Sequence, residues 1–302
     1  MTTPLRPLAL ALAAVAALPP AARAEVTAEE AARLGTTLTE IGAERAGNAD
    51  GTIPPYAGGL VTPPARYVPG SGKRPDPFAD ERPVLSIDGK SAAEHSARLS
   101  DGARALLARY PDFRIDVYPT HRTVAFPRFV LENTVRAATT ARAPNGGLSL
   151  AGVRAAFPFP IPKTGYEAMW NHLVRFTAVC DRRRIFAYHV PPTGRPTLSS
   201  SAHVLESYPY WDPAAADRQT YFRFRITYDG PPRRAGEGML LVDPIDYFER
   251  GRRAWQYVPG QRRGRLGAGP SPATPPPPAN GGPTLHEPPP CHGGGGPVGV
   301  TP

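Results

Sequence analysis

Lysine and cysteine are both scarce in this 302-residue chain. Lysine occurs only at Lys73, Lys90 and Lys163, so arginine carries nearly all of the positive charge behind the formal net charge of +9. The arginines are scattered singly, and the lack of a dense basic tract predicts a solvated positive surface rather than a nucleic-acid site. Cys180 and Cys291 are too few for a disulfide framework. A bridge between them is not expected, because nothing fixes the tail around Cys291 beside Cys180.

Long apolar runs are missing as well, and none reaches the ~20 residues that a membrane-spanning helix needs. Arg6 precedes the apolar run Leu8–Leu18, and small residues follow at Ala22 and Ala24, which is the pattern of a secretory signal peptide. We therefore expect export of the chain and cleavage near Ala24, with residues 1–24 removed. No cysteine follows that position closely, so a lipid-anchored form is not expected.

Helical signals dominate the part of the chain before Asp181. Thr27 and Glu30 have the spacing of a capping box at the start of a short helix. Apolar residues at helical spacing predict further helices within Ser91–Tyr110, at Phe129–Thr139 and at Tyr166–Phe176.

After Asp181 the apolar period becomes twofold, which indicates β-strands. The predicted strands are Arg184–Val190, Ala202–Tyr208, Thr220–Tyr228, Gly236–Val242 and Arg253–Val258. The third of them should carry Phe222 and Phe224 on one face, with Tyr221, Arg223 and Arg225 on the other. Helices followed by a meander of strands predict an α+β fold with an antiparallel sheet.

Glycine and proline dominate two stretches of the chain. Gly47–Pro83 is too rich in both for long regular elements, so we expect an irregular, extended segment pinned to the domain by residues such as Tyr56 and Phe78. Residues 264–302 hold almost no apolar side chain that can anchor a core, which predicts a disordered tail. The sequence thus predicts one domain, residues 25–263, between a signal peptide and this tail.

Five strings of residues have a likeness to one known family. They are GNADGTIPPYAGGL (Gly47–Leu60), GKRPDPFADERP (Gly72–Pro83), YPDFRIDVYPTHRTVAFP (Tyr110–Pro127), FPFPIPKTGYEAMWNHLVRF (Phe157–Phe176) and AWQYVPGQRR (Ala254–Arg263). From about Glu25 to Arg263 the chain resembles the periplasmic proteins grouped as domain of unknown function 1329. Since members of that family continue with more sheet, we expect that a frameshift near Arg262 or Arg263 replaced the rest. A genuine low-complexity linker is the alternative.

The resemblance implies a periplasmic protein with a fold like that of the lipoprotein carriers. In that fold a curved antiparallel sheet, an incomplete half-barrel, packs on helices and leaves an apolar cavity. Such a cavity would take a lipid or a lipoprotein acyl chain, because each buried methylene stabilises the complex by ~0.8 kcal/mol without any polar contact. The residues expected to line it are Tyr118, Phe157, Phe159, Trp170, Phe222, Phe224, Trp255 and Tyr257. For each of them, packing in the core is the simpler alternative.

The same resemblance implies an outer-membrane protein and an exporter as partners, with no nucleic acid and no cofactor. The function it favours is a binding or carrier protein in envelope lipid traffic, and not an enzyme.

A polar cluster is the basis of a second hypothesis. Its members, if the two segments meet, are Asp116, His121, Arg122, Asn171 and His172. A histidine beside a carboxylate can act as a general base, which would suit a hydrolase of lipid or cell-wall material. No serine lies in a hydrolase-type glycine turn, and no histidine pair has metal-ligand spacing, so neither a catalytic residue nor a metal site is predicted. A third hypothesis is an envelope scaffold that contacts anionic lipid or a partner through arginine-rich strand faces.

Overall fold

The computed structural model describes residues 26–261 and 263–267 of the chain. The predicted signal peptide, residues 1–24, and residues 268–302 of the predicted tail lie outside the described residues. The described helices are α1 (Ala28–Ala32), α2 (Asp101–Arg109), α3 (Arg128–Thr140) and α4 (Gly165–Leu173). The capping-box spacing predicted α1, and each of the other three lies within one residue of a segment whose apolar spacing predicted a helix.

Eight strands form two sheets in this part of the chain. A short sheet pairs β1 (Leu85–Ile87) with β2 (Ile115–Val117). The larger sheet contains β3 (Cys180–His189), β4 (Thr197–Ser207), β5 (Thr220–Gly230), β6 (Gly238–Pro244), β7 (Arg253–Val258) and β8 (Arg263–Gly267). All of its pairs are antiparallel and join strands that follow each other in sequence. The predicted α+β class with an antiparallel meander is confirmed.

The larger sheet is open and uncurled, with β3 and β8 at its two edges. The expected curved half-barrel is therefore not observed. Closing a sheet requires its strands to tilt and stagger until the edges approach each other. Here β3 and β8 each pair with one strand only in the described part of the chain, so the sheet is not closed.

Strand β8 includes residues that the sequence analysis assigned to the tail. Gly264 to Gly267 pair with Tyr257 to Ala254 of β7. The pairing satisfies backbone donors and acceptors, and this requires no apolar side chain. Residues 264–267, which the sequence predicts to be part of a disordered tail, therefore belong to the edge strand of the larger sheet.

Side-chain caps begin three of the helices. In α1 the Thr27 hydroxyl accepts a hydrogen bond from the Glu30 backbone N–H, and the Glu30 carboxylate accepts one from the Thr27 N–H, so the predicted capping box is confirmed. Ser100 caps α2 and Thr164 caps α4 in the same way, each accepting from the backbone N–H three residues later.

The main core lies where α3 and α4 meet the start of β5. Its buried members include Val130 of α3, Trp170 of α4 and Trp211 of a 3₁₀ helix at Pro209–Trp211, while Tyr221 is the only strand residue among them. Trp211 donates its indole N–H to the Val174 carbonyl at 3.0 Å. The helices thus pack at one end of the larger sheet. A second hydrophobic cluster lies on the middle strands of the sheet and consists of strand residues.

Gly47–Pro83 contains neither helix nor strand, as predicted. Its anchor is the Arg122 guanidinium, which donates to the backbone carbonyls of Glu44, Arg45, Ala46 and Pro54. The same guanidinium lies 5.3 Å from the ring centroid of Tyr56. One cation therefore attaches the N-terminal segment to the chain that follows β2.

Candidate functional site

The larger sheet has two faces that differ in composition. Successive residues of a strand point to opposite faces, so the cross-strand pairs assign each side chain to one of them. One face carries a cluster that we name the apolar strip: Ile185, Ala202, Val204, Phe224, Ile226, Tyr228 and Met239. Ile185 lies opposite Ala202, Val204 lies opposite Ile226, and Ile226 lies opposite Met239. The strip therefore runs across four neighbouring strands, β3 to β6.

The apolar strip has a buried centre and an open margin. Four of its members are buried, with Ala202 and Ile226 having no exposed surface at all. Ile185, Phe224 and Met239 are only half-buried. These three half-buried members leave apolar surface in contact with solvent on this face of the sheet.

We name the opposite face the arginine face, after Arg182, Arg184, Arg223, Arg225 and Arg253. All five side chains belong to residues that are at least partly exposed. Two of them form ion pairs with aspartates, whereas Arg182, Arg225 and Arg253 have no ion-pair partner within residues 26–261. The net positive charge of this face is therefore only partly compensated.

Asp229 is the acidic residue that β5 contributes to the arginine face. Its carboxylate accepts hydrogen bonds from the Ser201 hydroxyl and from Arg184, and it lies 3.3 Å from Nε2 of His203. The hydrogen bond from Ser201, together with the charge of Arg184, holds the pKa of Asp229 below its ordinary value. Ser201 donates to a carboxylate that is a weak base, and not to His203, so this group of a serine, a histidine and an aspartate is not arranged as a hydrolase triad.

Asp217 lies in the loop before β5 and forms an ion pair with Arg223. Burial alone would raise the pKa of this carboxyl group. Hydrogen bonds from the Gln219 N–H, from Thr220 and from Arg223 outweigh that effect and lower the pKa to about 2. The ionised Asp217 carboxylate thus holds the start of β5 through its contact with Arg223.

A buried polar network joins β5, β6 and the connection between β6 and β7. Asp243 has no exposed surface, and its two carboxylate oxygens accept from Nε and Nη2 of Arg252 at 2.5 and 2.7 Å. The hydroxyls of Tyr221 and Tyr247 are 3.1 Å apart, and both rings contact Trp170. Burial, and then the charge of Asp243, raises the pKa of both tyrosines. Because the two hydroxyls stay protonated, they act as hydrogen-bonding groups. The network therefore stabilises the packing of these segments and does not transfer protons.

The eight side chains predicted to line one cavity are only partly brought together. Phe157, Phe159, Trp170 and Phe222 pack in or against the main core, Phe224 belongs to the apolar strip, Trp255 and Tyr257 lie on the arginine face, and Tyr118 is exposed just after β2. The rings of Phe222 and Phe224 are 6.5 Å apart and connect the core to the strip. For Trp170, whose indole N–H donates to the Gly147 carbonyl at 2.8 Å, core packing explains the position.

The predicted polar cluster is also dispersed. Asp116 accepts from Ser86 and Arg114, and these hydrogen bonds, that of Ser86 first, lower its pKa. The His121 ring nitrogen is 2.9 Å from Glu81, and its ring stacks on Phe78 with 3.8 Å between centroids. His121 is therefore paired with Glu81 and not with Asp116.

The other members of that cluster have partners elsewhere. Asn171 of α4 bonds both the N–H and the carbonyl of Phe159, so it orients the proline-rich segment that leads into its own helix. The carbonyl of the neighbouring His172 accepts from Arg175. Arg122, as described above, attaches the N-terminal segment. Asn171 and Arg122 therefore serve as local supports of neighbouring segments.

Sequence reasoning missed two features of this region. Asp243 and Arg252 gave no signal, because their pairing depends on the turn between β6 and β7. Tyr221 was expected beside Arg223, but a bulge between Thr220 and Phe222 in the pairing with β6 turns it into the main core. The arginine face itself is readable from the alternation in β5, which had predicted the positions of Arg223 and Arg225 correctly.

No group of histidine, cysteine and acidic side chains within the described ranges could hold a metal ion. Among the same residues, no helix combines the length and the apolar character that a bilayer crossing requires.

Comparison with known proteins gives a family and no activity. The family model described as "Protein of unknown function (DUF1329)" matches residues 86–287, which is two thirds of the chain and extends past Arg263, where the likeness was expected to end. An uncharacterized protein of Pseudomonas aeruginosa, PA3922, is 37% identical over 257 residues, which are 80% of this chain and 54% of that protein. The chain thus spans about half the length of this curated relative, and no solved structure is significantly similar to it. The family match, which the five quoted strings had suggested, identifies this chain as a member of the DUF1329 family of unknown function.

Proposed function

We propose that this protein binds a hydrophobic molecule, such as a lipid or a lipoprotein acyl chain, and carries it within the cell envelope. The observation that supports the proposal most directly is the apolar strip. Its margin exposes Ile185, Phe224 and Met239 on a sheet face where all members of the cluster are strand residues. Apolar surface on the face of a sheet is stabilised when a hydrophobic partner covers it.

The dimensions of the strip suit an extended chain of methylenes. It crosses from β3 to β6, which is three strand spacings of ~4.8 Å, or about 14 Å. Each methylene that is buried there contributes ~0.8 kcal/mol. A ligand of this kind needs no specific polar group in the strip, and the interaction is binding without covalent chemistry.

As part of this proposal, we infer that the domain is related to the lipoprotein-carrier fold. An antiparallel meander with an apolar strip on one face supports it, although the sheet is uncurled in the described part of the chain. The predicted signal peptide would take the carrier to the periplasm, where an outer-membrane protein and an exporter are the proposed partners.

The hydrolase hypothesis has weaker support. His121 is paired with Glu81 and stacked on Phe78, which occupies the ring nitrogen and one ring face. Ser201 is bonded to a carboxylate whose pKa is lowered. Neither group has the nucleophile–base contact that acyl transfer requires.

The first experiment is solvent extraction of the purified protein, followed by mass spectrometry of the extract. A co-purified lipid or other hydrophobe at a fixed ratio to protein is expected. The same extraction from an unrelated exported protein of equal abundance is the control. An extract that contains no hydrophobe above that control would refute the carrier.

A pair of neighbouring substitutions links the ligand to the apolar strip. Met239 lies in the strip and Leu240 points to the opposite face. With 1-N-phenylnaphthylamine as the fluorescent probe, Met239→Gln should weaken binding about tenfold, because a polar amide replaces apolar contact surface. Leu240→Gln should leave binding unchanged. Equal effects of the two substitutions would contradict the assignment of the strip as the binding surface.

A further inference from the structure

We propose that the arginine face docks this protein on the surface of an anionic lipid bilayer. The proposal concerns the face opposite the apolar strip and does not depend on a ligand in the strip. It rests on how cations and apolar side chains alternate across the strands.

Two cross-strand rows carry the pattern. In the first row the residues directly opposite one another are Arg182, Leu205, Arg225, Leu240 and Trp255. The second, adjacent row contains Ser207, Arg223, Val242 and Arg253. Neighbouring strands are ~4.8 Å apart, so each aliphatic or aromatic side chain lies beside at least one guanidinium.

The charge of the face is strongly one-sided. Its strands carry five arginines and the single acidic residue Asp229. Asp229 compensates the charge of Arg184, and the loop residue Asp217 compensates that of Arg223. Three guanidinium groups remain without an ion-pair partner in the described part of the chain. Near an anionic membrane each such cation contributes ~1 kcal/mol of attraction.

The apolar members favour a membrane over a nucleic acid. Single-stranded nucleic acids are bound by aromatic rings that stack on successive bases. The side chains that lie between the arginines of this face are the aliphatic Leu205, Leu240 and Val242, which offer the bases no ring to stack on. Trp255 and Tyr257 lie on the same face, Tyr257 is exposed, and the guanidinium of Arg253 lies 5.4 Å from the Trp255 ring centroid. Tryptophan and tyrosine are the residues that concentrate at the level of lipid headgroups.

The first test is co-sedimentation with vesicles. The protein should bind vesicles of mixed phosphatidylglycerol and phosphatidylcholine, bind pure phosphatidylcholine weakly, and dissociate as salt is raised. The triple variant Arg182→Gln/Arg225→Gln/Arg253→Gln should bind the anionic vesicles about 100-fold more weakly, since it loses three charges at ~1 kcal/mol each. The matched control is Arg74→Gln/Arg82→Gln/Arg195→Gln, which changes net charge equally at exposed arginines outside the face. The control should keep most of its binding.

The second test uses the position of the tryptophans. The chain has three, and Trp170 and Trp211 are 2% and 0% exposed, so Trp255 is the one that a bilayer can reach. Vesicles with brominated acyl chains should quench the Trp255 signal. In Trp255→Phe the quenching should disappear while co-sedimentation remains, because the arginines are still present.

Each of the following outcomes would overturn the proposal. The two triple variants lose vesicle binding equally, or quenching persists in Trp255→Phe. Single-stranded RNA at an equal concentration of negative charge releases the protein from the vesicles, or the protein dimerises through the arginine face and does not bind vesicles. A folded protein without vesicle affinity would refute docking but leave the carrier intact, because solvent extraction reports on the ligand separately. The circular dichroism spectrum of each triple variant establishes that it is folded.

Discussion

The buried pair of Asp243 and Arg252 should be the most sensitive charged site in the molecule. The Asp243 carboxylate has no exposed surface and makes two hydrogen bonds to the guanidinium, which is itself 17% exposed. In Asp243→Asn the arginine loses its counter-charge but stays in place. Breaking a buried pair from one side costs ~3–5 kcal/mol, a large fraction of the stability of a typical domain.

Urea unfolding of the wild type and Asp243→Asn measures this cost. Glu132→Gln is the control, because it removes an exposed helical pair with Arg128 and should cost less than ~0.5 kcal/mol. The double variant Asp243→Leu/Arg252→Met should recover most of the lost stability, since it removes both charges. A cost below ~1 kcal/mol for Asp243→Asn, or a double variant that is less stable than the single one, would refute the explanation by an uncompensated charge.

Three further predictions concern other supports of the fold. The lowered pKa of Asp217 means that its contribution to stability is complete above the unfolded value of ~3.9 and is lost as pH falls toward about 2. Asp217→Asn should therefore lose about 1 kcal/mol at neutral pH and show a flatter dependence of the urea midpoint on pH between about 4 and 2. Arg122→Lys should make the segment of residues 44–60 about tenfold more sensitive to limited proteolysis, because an ammonium group cannot bond four carbonyls in the guanidinium's geometry; an unchanged cleavage map would contradict this. His121→Ala should lower the free energy of unfolding by about 1–2 kcal/mol while binding of the fluorescent probe persists, whereas lost turnover at unchanged stability would instead support the hydrolase.

Local alternation and capping made much of the fold predictable. Thr27 and Glu30 signalled the start of α1, and the alternation of Thr220–Tyr228 placed Arg223 and Arg225 on a common face. These signals depend on residues within one element, so they can be read from a short window of sequence.

What escaped prediction depends on contacts between distant residues. His121 pairs with Glu81 and stacks on Phe78, forty residues or more away along the chain, and no local pattern specifies either contact. The bulge that redirects Tyr221 depends on its partner strand, and β8 depends on backbone pairing with β7 alone. The eight side chains expected to line one cavity were grouped through the family resemblance, although the chain distributes all of them except Tyr118 between a core and two opposite sheet faces.

Alternate residues of the same strands form the apolar strip and the arginine face, so a change in strand length affects both surfaces at once. Inserting or deleting one residue within β4 or β5 would exchange the two surfaces over the rest of that strand. Length variation among homologues should consequently be confined to the turns and to existing bulges such as that at Tyr221, while point substitutions remain free to alter either surface alone.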